Sequence, residues 1–155
     1  MMTQGIIAMN IENSMRADQK VKLKSLLIKH EGDRDYPHYD IEGCITIGIG
    51  RNLSFRGIYQ DEKELMLKND VDFIYDHLSK NYAWFQELNE SRQIAFIDMA
   101  FMGIKNFESF KKMLKAMDNH DYSRAYAEIL ESSYARKFNI RANEIAKIIL
   151  YGVIQ

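Results

Sequence analysis

The sequence has few of the residues that cross-link, kink or anchor a chain. Its 155 residues include one cysteine, Cys44, and one proline, Pro37. A single cysteine excludes an internal disulfide and a metal site built from several thiolates. No apolar run approaches the roughly 18 residues that a transmembrane helix needs, and the first ten residues lack the basic start of a secretory signal. We therefore expect synthesis in the cytoplasm and no stable insertion in a membrane.

The sequence also lacks an excess of either charge. Its 21 lysines and arginines stand against 22 aspartates and glutamates, which gives a formal net charge of -1. Without a basic excess, no long-range field draws the whole surface onto a polyanion, so nucleic acid is not an expected partner. The hydrophobic share of 46% and the charged share of 28% are typical of a globular protein of one domain.

Glycine is scarce and unevenly placed. Five of the eight glycines lie between residues 32 and 57, where they predict turns and strands, so the rest of the chain is expected to be helical. Apolar residues at three- and four-residue steps predict helices over residues 16–29, 61–80, 90–101, 107–117, 122–130 and 141–151. The apolar side of the first helix is formed by Leu23, Leu26, Leu27 and His30. Asn89 is the expected N-cap of the third helix, which is apolar on nearly every side and is expected to be the buried central helix.

Residues 44–49 change to a period of two, which is typical of a strand. Ile45, Ile47 and Ile49 share one face, and Thr46 projects from the other. Since the isoleucines form the apolar face, Thr46 need not be buried in a core.

Two carboxylates and a hydroxyl stand close together in this glycine-rich segment. Glu31 is expected at the end of the first helix, Asp40 in the turn before the strand, and Thr46 on the strand itself. This set suits glycoside hydrolysis, because one carboxyl group must protonate the glycosidic oxygen while a second group stays ionised or holds a water on the opposite face of the sugar. The histidines and aspartates nearby fit no metal signature, so we expect neither a metal nor a cofactor.

The same segment resembles a known family. Glu31-Gly32 followed by Asp40-Ile41-Glu42-Gly43-Cys44-Ile45-Thr46-Ile47-Gly48-Ile49-Gly50 is similar to the phage-type lysozymes, or endolysins, with the Glu, Asp and Thr of that family at matching spacing. Gly50-Arg51-Asn52-Leu53 and Arg56-Gly57-Ile58 resemble its compact phage and prophage branch. Weaker likeness extends from about Leu23 to Gly152, most of the chain.

This resemblance implies a lysozyme that hydrolyses the β-1,4 bond between N-acetylmuramic acid and N-acetylglucosamine in peptidoglycan. Glu31 would be the general acid, and Asp40 and Thr46 would hold the attacking water, which gives inversion. Arg141 would anchor the Glu31 carboxylate. The residues expected to bind substrate or border its cleft are Asn52, Leu53, Phe101, Met102, Gly103 and Arg141.

The implied fold class is α+β, mostly α: a two-lobed, lysozyme-like domain with a small antiparallel sheet in the N-terminal lobe and an all-α C-terminal lobe. Residues 15–60 would form the N-terminal lobe, residues 61–80 a connecting helix, and residues 81–155 the C-terminal lobe. Residues 1–14 would be a flexible extension. The resemblance also implies a monomer that acts on the wall after release through a holin.

Two alternatives remain open on the sequence. A lytic transglycosylase acts on the same substrate with a Glu acid, needs no water-holding Asp, and leaves 1,6-anhydro ends. A non-catalytic wall-binding phage component would keep the fold and bind peptidoglycan without releasing reducing ends. The family commonly reads Asn-Met-x-Phe-Asn-Met-Gly at the end of its central helix, whereas this chain has Asp98-Met99-Ala100-Phe101-Met102-Gly103, with one residue fewer.

Overall fold

The computed structural model describes residues 15–154 of the chain. The chain divides into two compact units, of which the first ends at Tyr59 and the second begins at Gln60. The extension predicted for residues 1–14 lies outside the described residues.

The first unit combines one helix with a small sheet. Its elements are α1 (Ala17–Glu31), β1 (Arg34–Tyr39), β2 (Ile45–Gly48) and β3 (Arg51–Asn52). The three strands form one antiparallel sheet in the order β1-β2-β3, in which Thr46 pairs with His38 on one side and with Asn52 on the other. The predicted first helix and strand are therefore present, and β1 and β3 lie in the glycine-rich segment, where strands were expected but their bounds were not predicted.

Two residues of β2 differ in burial from what the alternation indicates. Thr46 is buried, with 7% of its surface exposed, whereas Ile45 is 38% exposed. Periodicity identifies the residues that share a face but not the face that a neighbouring element covers. Here His38 of β1 lies beside Thr46 and shields it. In α1, Leu23, Leu26 and Leu27 are likewise 37–50% exposed, and none of the helix's residues is buried.

The second unit is entirely helical within the described residues. Its helices are α2 (Gln60–Asn81), α3 (Ala83–Glu87), α4 (Glu90–Ala100), α5 (Ile104–Glu108), α6 (Lys111–Asp118), α7 (Tyr122–Glu131), α8 (Ser133–Lys137) and α9 (Asn139–Tyr151). Four of the predicted helices correspond to α2, α4, α7 and α9 within a few residues. The five-residue helices α3 and α8 had no sequence signal, since they are too short to show a period.

The helix predicted over residues 107–117 is wrong, because the chain breaks there into α5 and α6. The Ser109 hydroxyl donates to the Asn106 carbonyl at 2.6 Å and so competes with the helical hydrogen bonds. Phe110 then leaves the helical conformation, with ψ of 54°. Apolar residues continue at helical spacing across the break, so the pattern alone does not show it.

The core of the second unit is built around α4. As predicted, Asn89 caps this helix, its side chain accepting from the backbone N–H of Arg92 at 3.1 Å. Phe96 is fully buried, and its ring centroid lies 4.9 Å from that of Trp84 and 6.4 Å from that of Phe107. The other buried residues of α4 are Ala95, Met99 and Ala100, and α9 packs against this helix with Ala142, Ile145, Ala146 and Ile149.

The predicted fold class is confirmed: the chain is mostly helical, with a three-stranded antiparallel sheet near its N-terminus. None of the helices in residues 15–154 has the length and apolar character that crossing a bilayer requires.

Candidate active site

Glu31 is the last residue of α1, as predicted, and it packs against the turn that follows β2. The helix ends because Gly32 adopts a φ of 82°, and its N–H donates to the Ile28 carbonyl. A methyl group at Gly50 would lie 2.9 Å from both Cγ and Oε2 of Glu31. Gly50 has a φ of 67°, so both its backbone conformation and the space beside it favour glycine. The exposed Glu31 carboxylate is thus held against the β2–β3 turn.

Asp40 occupies the turn between β1 and β2. Its Oδ1 accepts two backbone hydrogen bonds, from Glu42 at 2.9 Å and from Cys44 at 2.8 Å. The Asp40 N–H donates in turn to the Cys44 carbonyl at 2.9 Å. These bonds fix the side chain with Oδ1 in the turn. Within the described residues nothing donates to Oδ2, which leaves that oxygen available to a water or substrate proton.

Thr46 lies in the middle strand of the sheet. Its hydroxyl donates to the His38 carbonyl at 3.3 Å, and Nε2 of His38 lies 3.4 Å from Oγ1. The hydroxyl is thus held by β1, the strand that leads directly into the turn of Asp40. The first unit therefore places all three predicted catalytic residues around β2: Asp40 in the turn before it, Thr46 within it, and Glu31 against the turn after it.

Asn52 and Leu53, predicted to bind substrate, lie beside Thr46 at the edge of the sheet. Asn52 pairs with Thr46, and its Oδ1 accepts from the Phe55 N–H at 3.0 Å. Leu53 donates its N–H to the Ile45 carbonyl at 2.7 Å, and both residues are partly exposed. The sheet thus brings these two residues together with Thr46.

Arg141, the predicted partner of Glu31, forms an ion pair within the second unit. Its Nε donates to Oδ1 of Asp98 and its second terminal nitrogen donates to the Asp98 carbonyl, both at 2.8 Å. Asp98 occupies a position at which phage-type lysozymes commonly have Asn. In this chain Arg141 therefore pairs with a carboxylate rather than with an amide. The bonds to Asp98 use two of the five N–H groups of the guanidinium.

Tyr134 shares the electrostatic environment of this pair. Burial raises the pKa of the Tyr134 phenol above its ordinary value, the positive charge of Arg141 lowers it, and the negative charge of Asp98 raises it again. Tyr134 is 7% exposed. Tyr134 also lines a cavity of about 840 Å³ together with Met102, Phe110 and Glu128.

Phe101, Met102 and Gly103 lie between α4 and α5, at the end of the central helix. Gly103 has a φ of 111° and donates its N–H to the Ala100 carbonyl at 2.9 Å, which turns the chain sharply. Met102 lines the cavity of Tyr134, whereas Phe101 and Gly103 line a separate one of about 260 Å³. The three predicted substrate-binding residues are therefore adjacent but do not all face one cavity.

Sequence reasoning missed two residues that contact the predicted catalytic set, His38 and Gly50. Gly50 was visible as part of the Gly-Ile-Gly pattern, but its contact with Glu31 depends on where α1 lies. The role of His38 depends on the register between β1 and β2, and no pattern had identified β1.

Groups of three or more His, Cys, Asp or Glu side chains arranged to hold a metal are absent from residues 15–154.

Comparison with known proteins identifies the family of the chain. The phage lysozyme family model matches residues 28–144. Two proteins of Dictyostelium discoideum, probable T4-type lysozymes 1 and 2, are 24% and 23% identical to the chain over 85% and 86% of its length, and over 95% and 96% of their own. The pre-baseplate central spike protein Gp5 of Enterobacteria phage T4 is 27% identical to the chain over 87% of the chain's length. The matched region covers only 28% of the spike protein. The chain therefore belongs to the phage lysozyme family of glycoside hydrolases, and this membership implies peptidoglycan as its substrate.

Proposed function

We propose that the protein is an N-acetylmuramidase that hydrolyses the β-1,4 bond between N-acetylmuramic acid and N-acetylglucosamine, with inversion at the anomeric carbon. The observation that carries the proposal is the arrangement of Glu31, Asp40 and Thr46 around β2, two carboxylates and a hydroxyl held by a single sheet. Family membership supports the substrate, and the three side chains support the reaction.

In the proposed reaction Glu31 is the general acid. It gives its proton to the glycosidic oxygen as the bond between that oxygen and C1 of the muramic acid breaks. A carboxyl group suits this task because an alkoxide is a poor leaving group until it is protonated. Gly50 supports the role, since the contact with it restricts where the Glu31 carboxyl group can lie.

Asp40 and Thr46 hold the water that attacks C1 from the opposite face. The water donates one proton towards Oδ2 of Asp40 and the other towards Oγ1 of Thr46, which leaves an oxygen lone pair for C1. As the new C–O bond forms, Asp40 takes the proton and the product is a hemiacetal with inverted configuration. Exchange of protons with solvent then returns Glu31 to its acid form and Asp40 to its carboxylate form.

Asn52 and Leu53 bind the sugar beside Thr46 in this proposal. We also propose Phe101, Met102 and Gly103, between α4 and α5, as substrate-binding residues of the second unit. We further propose that Arg141 binds substrate, since its bonds to Asp98 leave three guanidinium N–H groups for another acceptor. We also propose that the protein acts as a monomer and that it is made in the bacterial cytoplasm and reaches the wall through a holin.

The rate at which purified peptidoglycan yields reducing ends tests this proposal. We expect Glu31→Gln to lose at least about a hundredfold in this rate and Asp40→Asn and Thr46→Ala to lose about tenfold or more, which are the usual ranges for a general acid and for a misplaced nucleophile. Glu144→Gln changes the same chemical group at an exposed position of α9 and serves as the matched control, which should keep the wild-type rate.

Three outcomes would contradict the proposal in different ways. A wild-type rate for Glu31→Gln would remove the general acid. A wild-type rate for both Asp40→Asn and Thr46→Ala would mean that no held water is needed, as in a transglycosylase. Binding of the walls without release of reducing ends by the wild type would make the protein a binding component.

A further inference from the structure

His38 provides both hydrogen-bond contacts of the Thr46 hydroxyl among the described residues. The two residues are register partners across β1 and β2, and two contacts join them: Nε2 to Oγ1 at 3.4 Å, and Oγ1 to the His38 carbonyl at 3.3 Å. Thr46 is the only buried residue of the first unit among those described. Its hydroxyl is therefore oriented by His38 rather than by bulk water.

The two contacts together fix the direction of each hydrogen bond. A threonine hydroxyl has one hydrogen and two acceptor lone pairs. Because a carbonyl oxygen can only accept, the hydrogen of Thr46 goes to the His38 carbonyl, and a hydrogen bond between Oγ1 and Nε2 then requires the Nε2–H tautomer. Nδ1 of His38 is buried and has no hydrogen-bond partner among residues 15–154, which is consistent with its being the nitrogen without a hydrogen.

With these hydrogen-bond directions, one of the two lone pairs of Oγ1 has no partner among the described residues. The role that we infer for His38 rests on the proposed function. We propose that His38 is a positioning residue: its Nε2–H and its carbonyl oxygen hold the Thr46 hydroxyl so that it presents an acceptor to the attacking water. The water must then donate to Thr46, and with its second proton donated to Asp40 its lone pair is directed at the anomeric carbon. A hydroxyl free to rotate would instead donate to the water for part of the time and turn that lone pair away.

Substitutions at His38 separate this role from simple packing. His38→Leu removes the ring N–H, and we expect kcat to fall about fivefold to tenfold with KM nearly unchanged, the loss of about one neutral hydrogen bond. His38→Gln can place a side-chain N–H near the position of Nε2 and should keep at least about half of kcat, whereas His38→Asn, with its N–H nearer the position of Nδ1, should not. His120→Leu, at an exposed histidine of the second unit, is the matched control.

A double substitution and a spectrum complete the test. In a Thr46→Ala background, His38→Leu should cause no further loss of kcat, because the group that it positions is already gone. Nitrogen-15 chemical shifts of the His38 ring in the intact protein should show the Nε2–H tautomer at neutral pH.

The inference is overturned by a wild-type kcat for His38→Leu, by equal losses for His38→Gln and His38→Asn, by an added loss in the Thr46→Ala background, or by the Nδ1–H tautomer. If His38→Leu does not fold, the comparison of the glutamine and asparagine variants and the tautomer decide. None of these results contradicts the proposed function, provided that Glu31→Gln has lost its activity. A fully active Glu31→Gln would overturn both.

Discussion

Replacing Gly50 by alanine should displace the Glu31 carboxyl group. The added methyl carbon would lie 2.9 Å from Cγ and Oε2 of Glu31, about half an ångström inside ordinary van der Waals contact. The Glu31 side chain is exposed and can turn away, so it is this side chain, rather than the backbone of the turn, that we expect to move.

The size of the effect follows from geometry. Misplacing a catalytic group by about 1 Å costs on the order of a hundredfold in rate, so a shift of about half that distance should lower kcat/KM about tenfold. The φ of 67° at Gly50 adds a separate cost to folding of about 1–2 kcal/mol, because a side chain rarely adopts this conformation. The assay is release of reducing ends from purified peptidoglycan, with urea unfolding measured on the same preparations.

Gly48→Ala is the control that separates the two effects. Gly48, the last residue of β2, has a φ of 64°, but a methyl group there would meet nothing within 4 Å. Gly48→Ala should therefore lose the same 1–2 kcal/mol of stability and keep its activity within about twofold. Equal activities for the two alanine variants would show that a methyl group at Gly50 does not displace the Glu31 carboxyl group enough to lower kcat/KM.

Three further predictions concern the second unit. Phe96→Ala should lower the free energy of unfolding by about 3–5 kcal/mol in urea, because the ring is fully buried among aromatic neighbours. Asp98→Asn should lower it by less than about 1 kcal/mol, since the pair with Arg141 is half exposed and the amide and backbone oxygens still accept from the guanidinium. Tyr134→Phe should weaken the loss of stability above pH 10 in thermal unfolding: the pKa of Tyr134 is raised in the fold by burial, so the unfolded chain ionises first and the wild type loses stability as pH rises.

A loss below about 1 kcal/mol for Phe96→Ala would mean that the core around α4 is loosely packed. A loss above about 2 kcal/mol for Asp98→Asn would mean that the Arg141 pair is stronger than its exposure suggests. An unchanged decline above pH 10 in Tyr134→Phe would assign that decline to other tyrosines, of which Tyr82 is the first candidate, because burial raises its pKa too.

The helical part of the fold could be predicted because its signals are local. Asn89 was identifiable as a cap because its side chain acts within one turn of its own helix, and the apolar run after it marks a buried element wherever it packs. The break at Ser109 could not be predicted, because one hydroxyl bonded to one carbonyl ends the helix while the apolar period continues. Propensity and period do not register a single competing bond.

The sequence allowed the elements that carry Glu31 and Asp40 to be predicted, but not the strand pairing that surrounds Thr46. Glu31 and Asp40 were assigned to the end of a helix and to a turn, and both are there. Thr46 was expected on the face opposite the isoleucines, where it need not be buried, and it is buried beside His38 of β1. Which face is covered depends on pairing between strands that are separate in sequence, and this information is absent from the period of one strand.

Mass spectrometry of the muropeptides released from purified peptidoglycan by the wild type and by Glu31→Gln is the direct test of Glu31 as the general acid. We expect products with reducing N-acetylmuramic acid ends from the wild type and at least about a hundredfold less of them from Glu31→Gln at the same protein concentration. Products lighter by one water would contradict this expectation, since they carry 1,6-anhydro ends and would leave Asp40 and Thr46 without their water. Reducing ends from Glu31→Gln at the wild-type rate would contradict it as well, because the proton would then come from another group.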